Sequence, residues 1–255
     1  MGSRSRLPPV FSNKTVLITG ANRGIGRALA EAFAQAGANL LVHSRVDTDA
    51  FAVDMLDLAT RHGGQVERLS FDMTDTTAMK TAVNAALPVG RPVHVLVNNA
   101  GVAHGGLFQM TPVSIVRGVF DVNFFAQLEL TQLILRRMTR QKSGAIVNIG
   151  SIAGLDLSAG NIAYGASKAA LMACTQTLAA EVGSLGVRVN AVAPGLTDTE
   201  MAKQMEKKAE TRMIENSAMR RLATVREIAQ VVLFLASDAA SFVNGQIIPV
   251  NGGRA

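Results

Sequence analysis

The fold is decided by the stretch Thr15-Val16-Leu17-Ile18-Thr19-Gly20-Ala21-Asn22-Arg23-Gly24-Ile25-Gly26. An apolar, β-branched run leads directly into a G-x-x-x-G-x-G turn, and a helical pattern follows it. Glycines let the backbone turn tightly and approach a pyrophosphate, whose charge the N-terminus of the next helix stabilises. We therefore interpret this stretch as a strand, a phosphate-binding turn and a helix, although glycines also serve ordinary turns. The residues expected at the phosphates are Gly20, Asn22, Arg23, Gly24, Ile25 and Gly26.

The same alternation of short apolar runs and helical patterns continues to the end of the chain. Strands are predicted at residues 15–19, 39–43, 65–70, 93–98, 145–149, 187–193 and 246–250. Helices are predicted at residues 25–35, 51–61, 76–87, 113–139, 163–185 and 225–236. Strands that are apolar throughout are typical of parallel sheets covered on both faces. The pattern predicts a single-domain α/β fold: a Rossmann-type, doubly wound parallel sheet of about seven strands with helices on both faces.

The domain boundaries follow from this rhythm. Residues 1–13 precede the first strand and are expected to form an N-terminal extension, while residues 14–255 form one domain. Residues 196–222 interrupt the alternation with a long, charged, Met-rich segment after a strand end, where doubly wound sheets bind ligands. This segment is predicted either to close over a substrate as a lid or to be a helix pair packed on the core or on another subunit.

Composition excludes several classes of protein. Hydrophobic residues make up 48% of the 255 residues and charged residues 17%, enough for a large core. The single cysteine excludes an intramolecular disulfide, and the four scattered histidines indicate no metal site. The net charge of +6 is dispersed, which favours a solvated surface over nucleic-acid binding. No signal peptide or membrane span is recognised, so we expect a cytoplasmic protein without membrane partners.

The end of the second predicted strand bears on the choice of dinucleotide. An acidic residue there would hold the ribose 2′-hydroxyl of NAD, but the sequence has Ser44-Arg45. Arg45 and Arg23 could instead pair with a 2′-phosphate, so NADP(H) is predicted. A longer strand would bring Asp47 or Asp49 into play and favour NAD(H). Asp72 could accept a hydrogen bond from the adenine amino group, or it could be an ordinary loop acid.

A candidate catalytic group contains the only tyrosine of the chain. Tyr164 and Lys168 are four residues apart, hence on one face of a helix, and Ser151 ends the fifth predicted strand. A nearby ammonium would lower the pKa of a phenol, and a serine could hydrogen-bond a developing alkoxide. These residue types suit the reduction of a carbonyl. The first glycine of a G-x-S-x-G nucleophile elbow is absent around Ser151, which argues against a hydrolase.

Together, these motifs resemble the short-chain dehydrogenase/reductase family over residues 14–253. The matching motifs, in family order and spacing, are residues 19–26, Asn98-Asn99-Ala100-Gly101, Asn123, Ser151, Tyr164-x-x-x-Lys168 and Pro194-Gly195.

The resemblance implies a catalytic tetrad. Tyr164 would act as general acid or base, Ser151 would orient the carbonyl, and Lys168 would bind the nicotinamide ribose and lower the pKa of the tyrosine. Asn123 would hold a water molecule in a proton relay. The resemblance also implies further cofactor contacts beside Tyr164 and Lys168, at Asn99, Ala100, Gly101, Pro194, Gly195, Thr197 and Thr199.

Within the family, the C-terminal residues 245–253 resemble 3-oxoacyl-(acyl-carrier-protein) reductases. That resemblance implies a thioester substrate on an acidic carrier, with Arg137, Arg140 and Lys142 as candidate docking residues. Leu185 replaces a frequent basic residue and Asn251 a usual Asp, which leaves the substrate open. Another small ketone, sugar, steroid or alcohol is the alternative.

Two further expectations concern assembly and class. The family typically forms dimers or tetramers through its long helices and its last helix and strand, so a homotetramer or homodimer is expected; simple core packing of those helices is the alternative. A dinucleotide-binding sensor or scaffold without turnover is the alternative of another class. The whole tetrad argues against it.

Overall fold

Seven parallel strands form one sheet in the order β3-β2-β1-β4-β5-β6-β7 in the computed structural model, which describes residues 10–156, 158–203, 211 and 213–253. All seven predicted strands are present, with ends within two residues of the predicted ones. The central strands are buried on both faces, as their uninterrupted apolar sequence requires. The strands are β1 Thr15–Ile18, β2 Asn39–Ser44, β3 Val66–Ser70, β4 Val95–Asn98, β5 Gly144–Ile149, β6 Val187–Pro194 and β7 Ile247–Val250.

Helices cover both faces of the sheet, as expected for a doubly wound fold. The described helices are α1 Gly24–Gln35, α2 Asp49–His62, α3 Thr76–Ala86, α4 Val113–Phe120, α5 Ala126–Gln141, α6 Ile162–Val182, α7 Glu200–Lys203 and α8 Val225–Ala236. Phe33 and Val232 belong to the core layer that α1 and α8 form on one face. Met79 and Leu130 belong to the layer of α3, α5 and α6 on the other. The predicted single-domain Rossmann-type fold is therefore confirmed.

The prediction of one continuous helix over residues 113–139 is wrong in one respect. It is divided into α4 and α5 by a π-helical turn, Asp121–Phe125. Such a turn inserts an extra residue into a helix and is frequent at functional sites. Here it carries the fully buried Asn123, whose side chain bonds the backbone of Val102 across the loop after β4. Apolar periodicity does not reveal this interruption, because both helices remain amphipathic.

The two expected boundary segments differ in how much of them can be described. Phe11, which the sequence places in an N-terminal extension, is buried against Phe33 with ring centroids 5.0 Å apart. The folded part of the chain thus includes residues before Lys14. Much of the predicted lid, residues 204–210 and 212, lies outside the described residues. Its C-terminal part pairs with the end of the chain, since Ala218 N–H donates to the Gly253 carbonyl and Met219 N–H to the Gly252 carbonyl.

No described helix is long and apolar enough to cross a lipid bilayer. Among the same residues, no cluster of three or more histidine, cysteine or acidic side chains is placed to ligate a metal ion.

Candidate active site

The glycine turn lies between β1 and α1 and has no room for side chains. Gly20 and Gly24 have φ angles of +65° and +55°, which L side chains rarely adopt. A Cβ on Gly26 would lie 2.0 Å from the Gly20 carbonyl oxygen, so the turn closes on itself. Asn22 and Arg23 are exposed at its tip, and Ile25 is half-buried. The turn therefore presents backbone N–H groups at a helix N-terminus, the arrangement that binds phosphate.

Two side chains from the first and fourth strands hold this turn in place. Asn99 follows β4, and its Nδ2 donates to the carbonyls of Thr19 and Gly20 at 2.8 and 3.1 Å. The Oγ1 of Thr19 accepts from the N–H groups of Asn99 and Ala100, both at 2.9 Å. Asn99 and Ala100 were predicted to lie at the cofactor. The brace formed by Thr19 was not predicted, because nothing local in sequence links residues about 80 positions apart.

His43 is a second brace that sequence reasoning missed. It is buried on β2, where its Nδ1 accepts from the Gly20 N–H at 3.3 Å and its Nε2 donates to the Phe71 carbonyl at 2.9 Å. These bonds assign the neutral tautomer with its proton on Nε2. Burial lowers the pKa of His43, which keeps the ring neutral. His43 thus ties the glycine turn to the loop after β3.

At the end of β2, Arg45 is exposed to solvent, whereas the nearby acid Asp47 is paired with another arginine. β2 ends at Ser44, whose Oγ donates to the Val46 carbonyl, and exposed Arg45 follows immediately. Asp47, the alternative ligand for a ribose hydroxyl, accepts from Arg68 at 2.7 Å. Asp49 begins α2. The strand is thus too short to bring either acid to its end.

Asp72 lies in the loop after β3, at the same edge of the sheet. Its Oδ1 accepts from the N–H and Oγ1 of Thr74, and these bonds lower the pKa of the carboxyl group. The side chain is exposed and close enough to Arg45 for the charge of the guanidinium to lower its pKa further. Asp72 is therefore an ionised acceptor near the predicted adenine end of the site.

Ser151, Tyr164 and Lys168 meet where β5 ends and α6 begins. Ser151 follows β5, and its Oγ accepts from the Ala153 N–H at 3.1 Å. Tyr164 lies in the first turn of α6 and is hydrogen-bonded to Ser151. Lys168 lies one turn further, with Nζ 5.9 Å from the tyrosine ring centre and 2.7 Å from the Ile149 carbonyl, to which it donates. The three side chains predicted from sequence are thus together.

The electrostatics of this group differ from the expectation. Burial raises the pKa of the Tyr164 phenol, and its hydrogen bond with Ser151 opposes that rise. Burial also lowers the pKa of Lys168 to about 8. The ammonium was expected to lower the pKa of the phenol, but it is directed at the Ile149 carbonyl and is itself desolvated. The phenol is accordingly a protonated donor at neutral pH.

Asn123 connects the loop after β4 to α6. Its Nδ2 donates to the Val102 carbonyl and to Ser167 Oγ, at 2.9 and 3.0 Å, and its Oδ1 accepts from the Val102 N–H. Ser167 Oγ in turn donates to the Tyr164 carbonyl. A Cβ on Gly101 would lie 3.1 Å from Asn123 Oδ1 and 3.4 Å from Lys168 Nζ. Gly101 is therefore beside Lys168. Both amide hydrogens of Asn123 are thus donated to protein groups. The water molecule expected at Asn123 stays a prediction.

The segment after β6 crosses the glycine turn. Gly195 packs against the end of the chain, since a Cβ there would lie 2.8 Å from Asn251 Cα. Thr197 is buried and donates to the Gly195 carbonyl at 3.0 Å. Thr199 lies over Gly24, with its Cγ2 3.5 Å from where a Cβ of that glycine would be. The segment that begins at Pro194 and the glycine turn thus face one another.

All predicted site residues therefore gather at the carboxyl edge of the parallel sheet. The strand order reverses between β1 and β4, because β2 and β3 lie on one side of β1 and β5 to β7 on the other. Ligands of doubly wound sheets bind in the crevice at such a reversal. The glycine turn is on one side of this point and the Ser151–Tyr164–Lys168 group on the other. The fold and this edge define a protein with a crevice of the kind that binds a dinucleotide.

Comparisons with known proteins place the chain in a family. The protein family described as enoyl-(acyl carrier protein) reductase matches residues 20–255. The 3-oxoacyl-[acyl-carrier-protein] reductase of Chlamydia trachomatis is 34% identical over 243 residues, which cover 95% of this chain and 98% of that protein. The chain belongs to the short-chain dehydrogenase/reductase family and is an NAD(P)-dependent oxidoreductase acting on CH–OH/C=O groups.

Solved structures agree with this assignment. A 3-oxoacyl-[acyl-carrier protein] reductase from Brucella melitensis superposes with a TM-score of 0.89 at 33% identity, covering 98% of this chain and 94% of that one. A putative NAD(P)-dependent gluconate 5-dehydrogenase from Beutenbergia cavernae, with bound NADP, superposes with a TM-score of 0.89 at 34% identity. That match covers 96% of this chain and 98% of the other. The neighbours share a fold but differ in the substrate that their names state.

Proposed function

We propose that this protein is an NADP(H)-dependent reductase of 3-oxoacyl thioesters, with Tyr164 as the proton donor. The observation that carries the proposal is the Ser151–Tyr164–Lys168 group beside Gly101, in a chain with about one-third identity to 3-oxoacyl-(acyl-carrier-protein) reductases. The reaction interconverts a ketone and a secondary alcohol.

The chain fits a dinucleotide at the carboxyl edge of the sheet. The glycine turn is a cradle that a side chain would fill, since a Cβ on Gly26 would overlap the Gly20 carbonyl. The turn would hold the pyrophosphate, with Thr197 and Thr199 covering it from the segment after β6. Ala100 and Gly101 would lie along the ribose, and Asp72 near the adenine. When bound, the nicotinamide supplies the hydride for the carbonyl carbon.

Two exposed arginines support NADP(H) over NAD(H). Arg45 directly follows β2 and Arg23 lies in the glycine turn, so both can reach a 2′-phosphate by charge-assisted hydrogen bonds. The acids that would favour NAD(H) lie beyond the strand, and Asp47 is paired with Arg68. An NADP-bound relative of 34% identity is consistent with this choice.

The catalytic side chains would then share the chemistry of the carbonyl. Ser151 would donate a hydrogen bond to the carbonyl oxygen and orient it. The Tyr164 phenol, whose raised pKa keeps its proton at neutral pH, would donate that proton to the developing alkoxide. Lys168 would bind the nicotinamide ribose hydroxyls, and Asn123 would hold a relay water near the lysine. In the oxidation direction, Tyr164 would be the base.

The substrate, the assembly and the location are proposed from the same relatives. Arg140 and Lys142 are exposed and Arg137 half-buried at the end of α5, where they would dock an acidic carrier protein. Residues 196–222 would form the substrate lid of the single domain that ends at residue 255.

α4 and the turn after it expose Val113, Ile115 and Phe125 by 56%, 41% and 52%, which suits burial in a homotetramer or homodimer. The expected location is the cytoplasm.

A substrate panel tests the proposed reaction. NADPH oxidation is measured with acetoacetyl and longer 3-oxoacyl thioesters, with 5-ketogluconate, and with cyclic ketones. We expect kcat/KM to be highest for the thioesters, and higher when the acyl group is on the carrier protein. The relative described as a gluconate 5-dehydrogenase makes the sugar acid the second candidate. Preferential turnover of 5-ketogluconate would replace the thioester proposal.

A pair of arginine variants tests the cofactor preference. Arg45→Ala removes a charge-assisted contact, so kcat/KM for NADPH should fall about 10- to 100-fold, with little change for NADH. Arg61→Ala is the matched control, because that guanidinium is paired with Glu31 and Asp57 on α1 and α2. Equal or better turnover of the unchanged enzyme with NADH would contradict the two-arginine argument.

A further inference from the structure

A cavity of about 390 Å³ lies between the end of the predicted lid, α8 and the end of β7. We call it the tail cavity. Its lining includes Ile152, which directly follows Ser151, and Leu196, which directly follows Gly195. The lining also includes Arg221 and Glu227, an ion-paired base and acid that are each nearly half exposed. The cavity thus has lining residues next in sequence to Ser151 and Gly195, and a polar part that reaches solvent.

The walls of the tail cavity are mainly apolar side chains from three different elements. Ile152 comes from the turn after β5, Val231 from α8 and Val250 from β7. Met213 and Ile214 close the side formed by the lid segment. These apolar side chains gain free energy by covering apolar surface, whereas the polar lining residues Asn216, Gln230 and Asn251 lie among them.

The floor of the tail cavity is fixed by the end of the chain. Ser217 Oγ donates to the carbonyls of Asn251 and Gly252, and Met219 N–H also donates to the Gly252 carbonyl. Gly252 has a φ of +69°, and a Cβ there would lie 2.6 Å from Ser217 Oγ. The close approach of these two segments needs a glycine. The cavity is thus built into the fold by its last residues.

We propose that the tail cavity binds the aliphatic tail of the acyl substrate, with Val231 as a residue that determines chain length. This inference rests on the proposed function and deepens it. The reactive carbonyl lies at Ser151, the first methylenes pass Ile152, and the tail continues towards α8. Once the tail passes Val231 it reaches the polar end at Arg221 and Glu227, where further methylenes are exposed and gain nothing.

The dependence of turnover on chain length is the first test. The substrates are 3-oxoacyl N-acetylcysteamine thioesters of increasing length, with NADPH at saturation. Each methylene buried in the cavity should raise kcat/KM about fourfold, until the rise ends in a plateau. A flat dependence, in an enzyme that turns over the acetoacetyl thioester, overturns the tail cavity and leaves the proposed reaction intact. Absence of turnover with every thioester overturns the proposed reaction instead.

Variants of α8 locate the effect. Val231→Phe fills the cavity and should lower the ratio of kcat/KM for long over short thioesters by about tenfold or more. Leu233→Phe is the matched control, because Leu233 packs against the main core as Val231 does but does not line the cavity. Its ratio should not change. Val231→Ala enlarges the cavity and should move the plateau to longer chains, which keeps the proposal testable if the larger side chain impairs folding.

Direct binding separates the cavity from catalysis. Calorimetry with the saturated dodecanoyl N-acetylcysteamine thioester, which cannot be reduced at C3, should show binding that Val231→Phe weakens about tenfold. Replacing N-acetylcysteamine by pantetheine should change the affinity equally in the parent protein and in Val231→Phe. If Val231→Phe weakened only the contribution of the pantetheine group to affinity, the cavity would be assigned to that group and the proposal overturned. Binding unaffected by Val231→Phe would also overturn it.

Discussion

The two sides of the carboxyl edge of the sheet are held together in different ways. On the cofactor side, side chains brace the glycine turn: Asn99 donates to its carbonyls and His43 accepts from its first N–H. On the substrate side, the lid segment is tied to Gly252 and Gly253 mainly through backbone carbonyls, which accept from two N–H groups and from Ser217 Oγ. The cofactor side therefore requires particular side chains as braces. On the substrate side, the side chains that line the tail cavity are free to vary.

This difference fits neighbours that share a fold but differ in the substrate that their names state. A phosphate cradle needs glycines and their braces whatever the substrate is. A cavity wall needs only apolar volume, so it can be enlarged or filled without loss of the fold. Tyr164 and Ser151 lie where the two sides meet.

The largest effect is expected for Tyr164→Phe, at the junction of the two sides. Loss of the phenolic proton should reduce kcat about 10²- to 10⁴-fold, because the alkoxide then lacks its proton donor. NADPH affinity should change little, since the cofactor side does not depend on the hydroxyl. Turnover and NADPH fluorescence titration measure the two effects separately. Retained turnover would assign the acid to another group.

The next largest effect is expected for Gly26→Ala on the cofactor side. The added methyl group would lie 2.0 Å from the Gly20 carbonyl oxygen, so the turn must open. We expect about 3 kcal/mol of lost stability. NADPH binding should also be strongly weakened. Urea unfolding and NADPH titration provide the measurements.

Gly118→Ala is the control for that variant. Gly118 lies within α4, and a Cβ there would meet open space among the described residues. Alanine should therefore leave stability unchanged or raise it by about 0.5 kcal/mol. Equal destabilisation by the two variants would contradict the idea that the cradle, rather than glycine in general, is sensitive.

The sequence predicted the cofactor side in part. The three glycines were predicted because their spacing directly follows a strand and precedes a helix. His43 and Thr19 were missed as braces, because their partners are 23 or more positions away and their residue types occur equally in ordinary strands. The direction of the Tyr164 pKa shift was not predicted, because the four-residue spacing places Lys168 on the same helix face but does not show the burial that desolvates both side chains.

A third prediction concerns the buried ammonium of Lys168. Its pKa in the folded, cofactor-free protein is about 8, against about 10.5 for the exposed side chain. Between these values the unfolded chain binds more protons, so stability should rise with pH. From pH 7 to 9.5, this group should add about 2 kcal/mol to the free energy of unfolding. In the other direction, this contribution to stability should be lost as the pH falls from 9.5 through 8.

Urea unfolding at several pH values checks this prediction. Lys168→Met keeps the length of the side chain and removes its titration, so the difference between the two proteins isolates the lysine. The range ends at pH 9.5 because Tyr164, whose pKa is raised above 10, titrates beyond it. Parallel pH profiles of the two proteins would show that the ammonium is not desolvated.

The substrate side was the least predictable part of the molecule. Residues 196–222 were singled out because they interrupt the strand–helix rhythm, and their methionines indicated apolar contact. The floor formed by Gly252 and Gly253 was not anticipated, because backbone bonds between distant segments leave no pattern of side chains. For the same reason, the tail cavity is visible only in three dimensions.

The smallest effect is expected at the start of α8, on the substrate side. Thr224 and Glu227 form a capping box, with Glu227 N–H donating to Thr224 Oγ1 at 3.2 Å and Thr224 N–H donating to the carboxylate at 2.8 Å. Thr224→Ala should cost about 1 kcal/mol, hence about 2–4 °C in Tm. Thr224→Ser keeps the cap and should match the parent protein. Because the cap stabilises only the start of the helix backbone, kcat/KM should stay within about twofold. A tenfold loss of kcat/KM at unchanged Tm would place Thr224 in contact with substrate. It would also show that the substrate side depends on side chains as the cofactor side does.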